Sequence, residues 1–95
     1  MATTPEGKVK DAIKKYIKSA YPDAIIYMPA SSRFGRAGVS DILACINGRF
    51  IAIEVKAGTK ATALQELFIL NVQKAGGLGA VCYGVEDVKK LLEGI

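Results

Sequence analysis

The sequence predicts a small mixed α/β domain, with helices packed on a short sheet in the order α-β-β-β-α-β-α. Three observations predict it. Apolar residues recur at helical spacing near the N-terminus, an Asn-Gly pair joins two β-type runs in the middle, and a helix-capping signature follows them. With 95 residues the chain has room for one core, so residues 1–95 read as a single domain. Hydrophobic residues make up 51% of it, ample for a folded core and too many for a disordered chain.

Thr4-Pro5-Glu6 opens the first helix: a hydroxyl at the cap, proline at the first helical position and an acid in the first turn. Val9, Ala12, Ile13, Tyr16, Ile17 and Ala20 then mark a core-facing stripe, with Lys8, Lys10, Lys14, Lys15 and Lys18 largely off it as a solvated face. Glu6 heads the stripe, because it lies three residues before Val9 and seven before Ile13. Residues 24–28 form a short apolar strand, and residues 29–38, "PASSRFGRAG", a loop of small, polar and basic residues. Residues 39–46 and 49–56 form a hairpin around Asn47-Gly48, whose type I′ turn requires positive φ at both positions. Thr62 to Gln65 fits a capping box that opens a helix to about Ala75, with Leu64, Leu67, Phe68, Val72 and Ala75 facing the core. Gly76-Gly77 ends it. A strand over residues 79–83 and a helix over residues 85–92, burying Val88, Leu91 and Leu92, complete the domain.

A two-residue turn sets the hairpin register, so opposed residues have numbers summing to 95, and Asp41 lies opposite Glu54. Alternation puts Asp41, Leu43, Cys45, Phe50, Ala52, Glu54 and Lys56 on one sheet face. Ile42, Ala44, Ile46, Ile51, Ile53 and Val55 take the other. Both faces read as buried near the turn, and both cysteines, Cys45 and Cys82, as buried structural thiols. Opposed carboxylates destabilise a sheet unless one is protonated or a cation joins them. A hard dication such as Mg²⁺ is held by one or two carboxylates together with water and phosphate, and Lys56 would lie beside it. On spacing alone an ordinary ion cluster at a strand end explains the same residues equally well, and a bulge would shift the register by one.

Composition narrows the chemistry further. The chain has no histidine, which removes Ser-His and Cys-His nucleophilic pairs, and two cysteines are too few for a structural zinc site. No apolar run approaches the roughly 20 residues of a membrane helix and the polar N-terminus is not a signal peptide, so a soluble cytoplasmic protein with no membrane partner is expected. The net charge of +4 mildly favours a polyanionic partner.

Asp41, then Glu54-Val55-Lys56 after an apolar strand, resembles the PD-(D/E)XK nuclease signature. Arg36 to Asp41 and the following Gln65 resemble its VRR-NUC branch, the virus-type replication-repair nucleases. The resemblance runs from Glu6 to about Val85. Glu6, Gly38, Asp41, Glu54-x-Lys56 and Gln65, in that order, carry its specificity. Ser40 departs from it, standing where the signature has proline. The resemblance implies a restriction-endonuclease-like α-β-β-β-α-β core and a Mg²⁺- or Mn²⁺-dependent endonuclease hydrolysing DNA phosphodiester bonds. Asp41, Glu54 and the Val55 carbonyl would hold the metal, and Lys56 would position or activate the attacking water. Glu6 resembles the family's additional acid, although a favourable charge at a helix N-terminus also accounts for it. Gln65 is either an active-site contact or only the capping-box glutamine. Ser31, Ser32, Arg33, Arg36 and Gly38 belong to a loop that would reach the DNA backbone or is an ordinary solvated loop, and for the lysines of the first helix DNA contact is the alternative to a solvated face. By analogy, a homodimer or higher homo-oligomer acting on branched DNA is expected. Two other readings are a nucleic-acid-binding module on this fold without catalysis, and an interaction protein whose charged cluster is only structural.

Overall fold

The computed structural model describes residues 4–29 and 37–95. Its elements follow the expected order: α1 (Pro5–Ala20), β1 (Ile25–Tyr27), β2 (Ile42–Ile46), β3 (Arg49–Val55), α2 (Ala63–Lys74), β4 (Leu78–Cys82) and α3 (Val85–Leu91). Thr4 caps α1 by accepting a hydrogen bond from the Gly7 N–H. Asn47 and Gly48 both have positive φ, 51° and 80°, as a primed turn demands.

The strands form one sheet in the order β1-β2-β3-β4, antiparallel except for the parallel β3–β4 pair. Every β2–β3 pair from Ile42↔Ile53 to Ile46↔Arg49 sums to 95, as the turn requires. The crossover from β3 through α2 to β4 makes β3 an interior strand, flanked on both sides.

The two sheet faces differ. Ile42, Ala44, Ile46, Ile51, Ile53 and Val55 join Ile13 and Ile17 of α1, and Val88 and Leu92 next to and within α3, in the main core. Among the described residues the opposite face is covered only in part, where Ile69 and Val72 of α2 lie over β3 and β4. This corrects the expectation that both faces are buried near the turn, since Phe50 is 47% exposed and Cys45 is exposed. Cys45 is therefore not a buried thiol. Cys82 is buried, and that burial, with the nearby Asp87 carboxylate, pushes its thiol up to about 12.

The stripe expected for α2 is also rotated. Ile69 and Val72 are buried and Phe68 is half-buried, whereas Leu64 and Leu67 face outward. The helix is apolar almost all round, so its own periodicity does not select a buried side. The strands beneath it do. In α1, Ile13 and Ile17 are buried as expected, Val9 and Tyr16 partly so, and Ala12 and Ala20 are exposed. No helix among the described residues is long and apolar enough to cross a membrane.

Candidate active site

The end of the hairpin away from its turn is where charge enters the sheet. Regular β2–β3 pairing stops at Ile42↔Ile53, one residue before the two carboxylates would pair. There the Asp41 side chain takes over, its Oδ2 accepting the Val55 N–H at 2.9 Å. Asp41 is thus tied to β3 directly beside Glu54. Glu54 occupies the interior strand, between the Asp41 end of β2 and Val81 of β4, and is 1% exposed.

Burial of this kind disfavours a charge. Burial first, then a hydrogen bond shared with Asp41 and the Asp41 charge, pushes the Glu54 carboxyl up to about 8; Lys56 opposes the shift and Glu6 adds to it. Lys56 Nζ lies 3.7 Å from Glu54 Oε2, yet this ion pair does not outweigh desolvation. Glu54 Oε1 is buried with no hydrogen-bond partner among the described residues. Such an oxygen, fully enclosed next to a second carboxylate, is a poor component of a core and a good ligand for a hard cation. The donor set therefore fits the metal that the sequence suggests. Among the described residues, no three histidine, cysteine or acidic side chains converge on one point, so the fit rests on two carboxylates.

The other expected residues divide. Glu6 lies in the first turn of α1, half-buried and close enough to act on Glu54, but it does not complete a three-carboxylate cluster. Gln65 makes the capping box in full: its Oε1 accepts the Thr62 N–H at 2.8 Å while Thr62 Oγ1 accepts the Gln65 N–H at 3.2 Å. Gly38 has a structural account. Its φ is +85°, and a Cβ there would stand 2.7 Å from the Leu64 carbonyl oxygen, so glycine lets the chain pass the start of α2. Ser31, Ser32, Arg33 and Arg36 lie outside the described residues. Ser40, at the position of the signature's proline, is 1% exposed, and its hydroxyl has no partner among the described residues.

One charged residue of the site was missed. Lys10, read as part of a solvated face, reaches in from α1 with Nζ 3.6 Å from Asp41 Oδ1. The signal was in its spacing: Lys10 is one turn after Glu6, three residues before Ile13 and seven before Ile17, on the edge of the buried stripe.

Neither a protein-family model nor a curated protein matches this chain. A solved structure described as a VRR_NUC domain does match, with a TM-score of 0.76 and 26% sequence identity over 97% of this chain and 98% of that one. The chain has the fold of a VRR_NUC domain. Near-complete coverage of both chains means that the VRR_NUC likeness includes every helix and strand that holds the site. The resemblance first carried by a few residues is therefore one of overall structure, and the fold is of nuclease type.

Proposed function

We propose that this chain is a Mg²⁺- or Mn²⁺-dependent deoxyribonuclease that hydrolyses phosphodiester bonds as an endonuclease. The observation that carries the reading is Glu54: a carboxyl buried in an interior strand, without a partner at Oε1 among the described residues, beside Asp41 and flanked by Lys56 on a VRR_NUC fold. Asp41, Glu54 and the carbonyl of Val55 would hold the metal. When bound, the ion supplies a water acidic enough to attack near neutral pH and offsets charge at the phosphate. Lys56, whose side chain is 13% exposed, orients the attacking water from the protein side. Asp41 is kept in register by the Val55 N–H. Glu6 contributes negative potential at the rim and a partner for a hydrated ion. Gln65 supports the site through the start of α2, Gly38 lets the chain pass there, and Ser31, Ser32, Arg33 and Arg36 would bind the DNA backbone.

The substrate we infer is branched, junction-like DNA cut by a homodimer, by analogy with the family. In support, Ile25, Tyr27 and Phe50 are 71%, 63% and 47% exposed on the sheet face that carries the carboxylates, an apolar surface suited to a second copy.

The test is cleavage of labelled duplex, flap and four-way-junction DNA in Mg²⁺ and Mn²⁺. Lys56→Ala is expected to lower the rate by roughly 10²- to 10⁴-fold, the range for a positioned proton-transfer group. A folded wild-type protein that binds these DNAs and cuts none would establish the non-catalytic binding module instead.

A further inference from the structure

Among the described residues two ammonium groups reach the carboxylate pair, and the nuclease reading uses only one of them. Lys56 belongs to the acid-x-Lys element. Lys10 comes from a different element, α1, and pairs with Asp41 Oδ1 at 3.6 Å. The other Asp41 oxygen already accepts the Val55 N–H, so both are engaged.

Counting charge gives Lys10 a task. With no cation present, Lys10 and Lys56 are the ammoniums set against Asp41 and Glu54. A divalent ion leaves two surplus positive charges, and it competes with Lys10 for the same Asp41 carboxylate. Lys10 is the more open of the two lysines, its side chain 29% exposed against 13% for Lys56. Its ammonium is a point charge on a flexible stem, able to change partners without moving the helix. The displaced group has an obvious anionic destination, because a DNA backbone brought to this rim presents phosphates.

We propose that Lys10 is an exchangeable counter-ion, holding Asp41 while the site lacks a divalent cation and passing to a DNA phosphate once the cation claims Asp41. The proposal rests on the metal-dependent nuclease reading. It makes metal and DNA binding mutually supportive, since the ion releases the residue that grips the backbone. It also makes Lys10 a brake on metal binding in the absence of DNA.

The experiment compares wild type with Lys10→Met, Lys10→Arg and, as a control on the exposed face of the same helix, Lys14→Met. Mn²⁺ affinity without DNA is measured by calorimetry, and affinity for duplex and junction DNA by titration in Ca²⁺ across a salt series. Lys10→Met is expected to bind Mn²⁺ about threefold tighter, the size of effect for one half-exposed competing charge. It is also expected to bind DNA more weakly, with the salt dependence reduced by about one phosphate contact. Lys10→Arg should restore the DNA term, and Lys14→Met should not change metal affinity. Metal affinity and salt slope in Lys10→Met equal to those of Lys14→Met would overturn the proposal alone. Wild-type protein whose Mn²⁺ binding is absent, and no different from Asp41→Asn, would overturn the nuclease reading and this proposal together.

Discussion

On one face of the β2–β3 hairpin, Ile42, Ile46, Ile51, Ile53 and Val55 are sealed under α1 and α3; on the other, Cys45 and Phe50 look outward and Glu54 is buried beside Asp41. Near the turn both faces are apolar in sequence, and the second adds Asp41, Glu54 and Lys56 at the far end. Cover separates them further. The first has two helices and acts as the core. Among the described residues the second has one helix, over β3 and β4, which leaves β1 and β2 open, and it carries unfavourable charge where regular β2–β3 pairing stops. The stable face lets the other carry a group that folding alone would not select.

Substitutions on the two faces should therefore differ in kind. Ile53→Ala opens a cavity in the sealed core and is expected to cost roughly 2–5 kcal/mol. In a domain this size that lowers the melting temperature by at least about 10 °C. Phe50→Ala, in the same strand but 47% exposed, should cost less than about 1 kcal/mol. Equal losses in thermal melts would mean that the second face is covered after all.

The pH dependence sharpens the same contrast. The Glu54 carboxyl moves from an ordinary value of 4.5 to about 8 on folding. Between those values the folded protein holds more protons than the unfolded chain, so this group's stabilising contribution is greatest at low pH and is lost as pH rises towards 8. Metal-free protein should lose roughly 5 °C or more of melting temperature to this group between pH 5 and 8, a dependence that Glu54→Gln abolishes. Divalent-cation affinity should rise over the same window, because binding displaces that proton. Melting curves of wild type and Glu54→Gln with identical pH slopes would show Glu54 ionised throughout.

The smallest effect on folding is expected at the open edge. Ile25→Thr should change the stability of a single chain by less than about 0.5 kcal/mol, since Ile25 is 71% exposed. If a second copy covers this surface, sedimentation should nevertheless shift toward the monomer. An unchanged sedimentation profile would remove Ile25 from the contact.

Much of this molecule follows from local chemistry. The Thr4 cap, the Asn47-Gly48 turn and the Thr62–Gln65 capping box each depend on a few neighbouring residues, so each was legible in sequence and each is present. The turn alone determined the register, and with it the approach of Asp41 to Glu54. Tertiary structure decided what depends on distant elements. Cover over the second sheet face was not legible, because an apolar strand residue reads the same whether or not a helix lies on it; hence the misreadings at Cys45, Leu64 and Leu67. Lys10 was overlooked for the same reason, its role depending on α1 bringing it against Asp41. Local hydrogen bonding is written in adjacent residues, whereas burial is a property of whatever the rest of the chain brings alongside.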